Sequence, residues 1–122
     1  MSQSLLIVDD EPAARDALAR LLSSHGYDVR TAADSQEATN EMAQSPADTV
    51  LLDIDLPLVP GDSFATFLNI RYPKTRILFM SGQYDMVNPQ RFGQHAHYFR
   101  KPLDIDSLLE ILEAPPTAAS PG

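Results

Sequence analysis

Short stretches of strand character come five times along this chain, several of them continuous apolar runs, and the stretches between most of them carry helical periodicity. Leu5-Leu6-Ile7-Val8 is continuous rather than alternating, the pattern of a strand covered on both faces, and it stops at Asp9-Asp10-Glu11. Pro12 suits the first position of a helix, and Ala14, Ala17, Leu18, Leu21 and Leu22 then share one face until Gly26. Tyr27 to Ala32 predicts a short second strand. Ser35 is the expected cap of a second helix, with Ala38, Met42 and the stem of Glu41 facing inward and Pro46 as its stop. Thr49 to Leu52 is strand-like and runs directly into Asp53, and Pro57 ends regular structure there. A loop with Pro57, Pro60 and Gly61 leads to a third helix, in which Phe64, Phe67 and Leu68 keep helical spacing up to Tyr72-Pro73. Arg76 to Met80 predicts a fourth strand ending at Ser81-Gly82, and Ala96 to Phe99 a fifth ending at Lys101-Pro102. Ile105, Leu108, Leu109 and Leu112 form the stripe of a last helix capped by Asp104. Between Ser81 and Lys101 the apolar residues Tyr84, Met86, Val87 and Phe92 make no clean stripe, and Pro89 would break a helix interior, so at most a short or irregular helix is expected.

Strands alternating with helices in a short chain imply a doubly wound α/β sheet, in which right-handed crossovers bring the strand C-termini to one edge. A length of 122 residues with 43% hydrophobic content supports one core. The expected domain is residues 1–113, with 114–122, rich in proline and small residues, a flexible tail or the start of a linker. A formal charge of -8 disfavours direct contact with nucleic acid or anionic membranes and favours a basic partner. The absence of cysteine excludes a disulfide scaffold, a thiolate metal site and a thiol nucleophile, and is compatible with a reducing cytoplasm. The run Leu5 to Val8 is far too short for a signal core or a membrane span.

The chemistry gathers at the expected strand tips. Asp9 and Asp10 end the first strand, Asp53 the third, Ser81 the fourth and Lys101 the fifth. Open parallel sheets bind ligands at this edge. Three carboxylates forced together repel unless a divalent cation offsets them, and hard oxygen ligands suit Mg²⁺. Asp53 is then a candidate nucleophile toward a phosphoryl group, with the metal and the ammonium of Lys101 to neutralise the transferred oxygens and Ser81 as a hydroxyl donor to one of them.

At these residues the sequence resembles the receiver domains of two-component response regulators, chemotaxis-type receivers among them. The match runs from Asp9-Asp10 through Asp53, Pro57, Gly61, Ser81-Gly82 and Tyr98 to Lys101-Pro102, nearly the whole chain. The resemblance implies a flavodoxin-like five-stranded parallel sheet of order 2-1-3-4-5 with helices on both faces. It implies a cytoplasmic protein whose Asp53 accepts phosphate from the phosphohistidine of a sensor histidine kinase or phosphotransfer protein, and which catalyses only its own phosphorylation and dephosphorylation. Asp9, Asp10, Asp53 and the backbone carbonyl of Asp55 would hold Mg²⁺, and Lys101-Pro102 would be cis. Tyr98 would be the switch aromatic that turns inward as Ser81 moves, controlling a downstream protein or output domain. Asp55 and Gln83 stand where the family tunes phosphoryl lifetime. The interval from Ser81 to Lys101 is shorter than usual for the family, which bears on the fourth helix, used there for partner docking or homodimerisation.

Each residue taken singly has a plainer reading. The acids before Pro12 would serve as helix caps, Ser81 as a turn residue, Lys101 as a solvated charge and Tyr98 as packing. His95 and His97 are spaced to share a strand face as metal ligands, but without a third ligand they read as solvated edge residues. Asp53-Ile54-Asp55 also resembles the nucleophile and general acid of haloacid-dehalogenase-like phosphatases, although that motif usually opens its fold. A phosphorylation-independent docking module on the receiver fold is the other alternative.

Overall fold

A computed structural model describes residues 3–55, 61–82 and 97–113, with only the backbone at 61 and 62. Five parallel strands lie in the order β2-β1-β3-β4-β5: β1 Ser4–Val8, β2 Asp28–Ala32, β3 Thr49–Asp53, β4 Arg76–Ser81 and β5 His97–Arg100. Four helices are described, α1 Pro12–Ser24, α2 Ser35–Gln44, α3 Gly61–Arg71 and α4 Ile105–Glu113. The expected short or irregular helix between Ser81 and Lys101 and the expected tail at 114–122 lie outside the described residues, as do Pro57, Pro60, Gln83 and His95.

The continuous apolar runs are explained by the two cores. Successive strand side chains point to opposite faces, so one run must satisfy both. Leu6, Val8, Val50, Leu52, Ile77 and Phe79 face a core completed by Ala38 and Met42 of α2 and Phe64, Ala65 and Leu68 of α3. Their neighbours Leu5, Ile7, Leu51, Leu78, Met80 and Phe99 face the other core, closed by Leu22 of α1 and Leu108 and Leu112 of α4. Full burial of each such side chain contributes about 1.5–3 kcal/mol, and truncating one centrally placed, such as Leu51, removes about 2–5 kcal/mol.

Local chemistry sets the helix ends. Pro12 stands in the first turn of α1, and Gly26 follows that helix at φ 93, a left-handed conformation that a side chain would strain. The expected cap Ser35 is instead the first helical residue of α2 and is buried; Asp34 is the cap, its carboxylate accepting the Glu37 N–H at 2.8 Å. Glu37 reaches back to the Ala33 N–H at 2.9 Å, so the Asp-x-x-Glu spacing acts as a reciprocal cap. Asp104 caps α4 as expected: its carboxylate accepts the Ser107 N–H at 3.4 Å and, on its other oxygen, the Ser107 hydroxyl at 2.9 Å. Two residues of the expected inward stripes are exposed. Phe67 stacks on Phe64 at 6.0 Å but remains 42% accessible, and Ala65 takes the seat against the sheet. Ala17 of α1 is exposed as well, while Ala19 packs on the core.

At the edge opposite the acids, Arg76 is buried within a network. Its Nε donates to Thr49 Oγ1 at 3.1 Å, Nη1 to the Ile111 carbonyl at 2.8 Å and Nη2 to Gln3 Oε1 at 2.7 Å. Gln3 donates in turn to the Leu112 carbonyl at 2.7 Å. A cation on the open carbonyls of a helix C-terminus is favourable. The last turn of α4 is therefore pinned to the sheet, and its first turn begins just beyond Lys101, so this helix fixes the segment that carries the lysine.

Candidate functional site

The sheet places four strand tips side by side, and their polar side chains meet. β1 and β3 are neighbours, so Asp9, just past Val8, stands beside Asp53, paired through Val8 and Leu52. β3 pairs with β4 and β4 with β5, which sets Ser81 and Lys101 on the other flank. The backbone continues these ladders into the loops: Ile54 N–H donates to the Met80 carbonyl at 3.0 Å, and Lys101 N–H to the Ser81 carbonyl at 2.8 Å. The Lys101-Pro102 peptide is cis, as the resemblance implied.

Lys101 Nζ donates to Asp53 Oδ2 at 2.9 Å and to Asp9 Oδ2 at 3.2 Å. The two acids are almost wholly buried, so this ammonium is their shared counter-ion in a poorly solvated place. Asp53 Oδ1 accepts the Asp55 N–H at 2.8 Å. Asp9 Oδ1 accepts the Glu11 N–H at 3.0 Å, which orients its other oxygen toward Lys101. Arg15 holds the Asp9 carbonyl at 2.8 Å, a support that no motif announced. Asp10 is exposed.

Burial pushes the Asp53 carboxyl above its usual range; the Asp55 N–H and Lys101 pull it back only partly, and the charge of Asp9 adds to the rise. For Lys101, burial alone would lower the ammonium's pKa, but Asp53 and Asp9 together hold it above the ordinary lysine value. Burial thus works against the charged form of this carboxylate, and the Asp55 N–H and the Lys101 ammonium offset part of that cost.

Asp9, Asp10 and Asp53 each present an oxygen within 4.8 Å of the others. Three hard oxygens of one sign, with one ammonium among the described residues bonded to two of them, are a donor set suited to a divalent cation such as Mg²⁺. His97 is exposed on β5 and outside this cluster.

Of the other expected residues, Ser81 is fully buried at the tip of β4 and its Oγ donates to Asp55 Oδ2 at 3.2 Å. The resemblance gave Asp55 a main-chain part in metal binding and a place among the residues that tune phosphoryl lifetime; its carboxylate contact with Ser81 is a feature that reading did not include. Tyr98 is half-buried against the α2–α3 core, beside Phe79 in the register. A groove of about 270 Å³ opens beside Asp9 and Lys101, walled by Ala14, Ala17, Leu18 and Leu21 of α1 and by Leu103 and Ile105.

Among the described residues no helix is long and apolar enough to cross a membrane. The family model of the response regulator receiver domain matches residues 5–113. Response regulator MprA of Mycolicibacterium vanbaalenii is 32% identical over 117 residues, covering 93% of this chain and 50% of its own length. Sporulation initiation phosphotransferase F of Bacillus subtilis is 27% identical over 115 residues, covering 93% of both chains. Among solved structures, a CheY-like receiver domain protein of Methanospirillum hungatei superposes with a TM-score of 0.84 at 27% identity, over 93% of this chain and 92% of its own. NtrX of Brucella abortus, solved in complex with ATP, gives a TM-score of 0.83 at 29% identity over 93% of this chain and 26% of its own. The chain spans about half or a quarter of the length of most of the curated relatives it matches. The matched span takes in all five strands and every residue of the acidic edge, and the chain belongs to the response regulator receiver domain family.

Proposed function

We propose that Asp53 accepts a phosphoryl group from a phosphohistidine on a sensor histidine kinase or phosphotransfer protein, and that the modified chain controls a downstream protein or output domain. The observation that carries this reading is the single ammonium of Lys101 bonded at once to Asp53 and Asp9, with Asp10 and Ser81 alongside. In the transfer, a carboxylate oxygen of Asp53 attacks phosphorus, the bond from phosphorus to the donor imidazole nitrogen breaks, and its electron pair stays on that nitrogen. The product is an acyl phosphate, and no side chain here has to remove a proton. Lys101 follows the charge from the carboxylate to the transferred oxygens, and Ser81 supplies a hydroxyl proton to one of them. Asp9, Asp10, Asp53 and the Asp55 carbonyl would hold Mg²⁺, which when bound neutralises charge on the carboxylates and on the phosphoryl oxygens.

The groove along α1 supports a protein donor, because an apolar wall beside a polar site fits a ridge of side chains on a partner helix. The phosphatase reading needs Asp55 as a free general acid, whereas its carboxylate here accepts the Ser81 hydroxyl. Tyr98, half-buried next to β4, is placed to fill or leave space as Ser81 moves, and is the proposed switch ring. The test is transfer from a radiolabelled phosphohistidine donor with Mg²⁺. Label is expected to pass to this chain, to be released by hydroxylamine as an acyl phosphate is, and to be absent from Asp53→Asn. Label retained by Asp53→Asn, or stable to hydroxylamine, contradicts the reading.

A further inference from the structure

Asp55 touches both ends of the site. Its N–H donates to Asp53 Oδ1 at 2.8 Å, and its carboxylate accepts the Ser81 hydroxyl at 3.2 Å. We propose that Asp55 is a built-in competitor of the phosphoryl group: its carboxylate holds the Ser81 hydroxyl in the unmodified chain and must release it when phosphoryl oxygens arrive on Asp53. This rests on the proposed function above.

The argument is one of proton count. A serine hydroxyl has a single hydrogen to donate. A carboxylate and a phosphoryl oxygen are both anionic acceptors and make hydrogen bonds of the same strong class. Ser81 is buried and its hydroxyl donates to Asp55, so donating to a phosphoryl oxygen means giving up the carboxylate. Asp55 is exposed, so its carboxylate is rehydrated on release and leaves no buried charge behind. The contact is therefore a reversible latch and not a structural tie.

Two effects of Asp55 oppose the modified state, and they separate cleanly. The hydrogen-bond exchange requires the Ser81 hydroxyl. Repulsion between the carboxylate and a phosphoryl anion does not. Asp55 is thus a positioning residue, acting on the phosphoryl site through Ser81, and it sets a threshold that donors must overcome.

The experiment is titration of the intact chain with beryllofluoride and Mg²⁺, a phosphoryl mimic, followed by amide NMR in wild type, Asp55→Ala, Ser81→Ala and the double variant. The apo spectra establish that each variant is folded. Asp55→Ala is expected to tighten apparent affinity about three- to tenfold with Ser81 present, and distinctly less with Ser81→Ala, a nonadditivity that marks direct coupling. Asp55→Asn, which keeps an oxygen acceptor without the charge, is expected to fall between wild type and alanine. An equal gain in both Ser81 backgrounds, or no gain in either, overturns the latch while leaving the phosphoryl site in place. A folded wild type that fails to bind the mimic at all overturns the proposed function and the latch with it.

Discussion

Replacing Lys101 by Met is expected to slow the proposed Mg²⁺-dependent phosphorylation of Asp53 by a small phosphodonor about 100-fold, the loss typical of removing one preorganised donor from a developing anion. The ammonium already stands 2.9 Å from the carboxylate proposed to attack. Its place is held from behind, because α4 starts just beyond it and is pinned at its far end by Arg76 and Gln3. A time course of intact mass reads the rate. A fall of less than about threefold would remove Lys101 from the reaction, given the magnitude such donors supply. The variant also loses stability, since Asp9 and Asp53 then face each other without a shared cation. For a group whose pKa is raised by folding, the contribution is full below the ordinary lysine value and is lost as pH rises through the folded one. The stability gap between wild type and Lys101→Met is accordingly constant near neutral pH and narrows in alkali.

Asp53→Asn has the opposite effect on the fold: without metal it is expected to be more stable than wild type by about 1 kcal/mol, the range of gains from relieving a functional site. Burial raises the Asp53 pKa, so folding disfavours the ionised form. Its stabilising contribution is present below the unfolded carboxylate pKa and lost as pH rises through the folded one. The advantage of Asn therefore opens as pH rises through the Asp53 titration and closes in acid, where wild type is protonated. If the acidic site takes Mg²⁺ as proposed, the ion at ten times its Kd is expected to stabilise wild type by about 1.4 kcal/mol through mass action. Asp53→Asn, with one of three carboxylates gone, loses most of that gain. Thermal melts of both chains from acid to neutral pH, with and without Mg²⁺, check both signs. A less stable Asn variant at neutral pH would show that the carboxylate's bonds to Lys101 and Asp55 outweigh its burial.

The sheet was legible because each central strand needed apolar residues on both faces, and Leu5 to Val8 and Val50 to Leu52 offer nothing else. The site was legible for a related reason: the runs stop at charged or hydroxyl residues on one edge, and chain order alone brings those ends together. What failed was finer. Asp34 and Ser35 are both good caps, and the decision lay with Glu37, three residues after Asp34, a spacing visible in the sequence. Phe67 has the periodicity of a core residue, but α3 meets the sheet through the small Ala65, which rotates Phe67 toward solvent. Ala17 likewise shares a stripe with Leu21 yet lines an open groove. The side chain of Asp55 was beyond periodicity altogether. Its hold on Ser81 depends on how far the turn after β3 leans toward the tip of β4, and no residue spacing encodes that reach.

The central claim is that Asp53 is the phosphoacceptor of a metal-assisted site, and intact mass after incubation with acetyl phosphate tests it most directly. With Mg²⁺ the wild-type chain is expected to gain the mass of one phosphoryl group, and the gain is expected to vanish in Asp53→Asn and with EDTA. A gain that survives in Asp53→Asn, or no gain in a folded wild-type chain supplied with donor and Mg²⁺, would contradict the account.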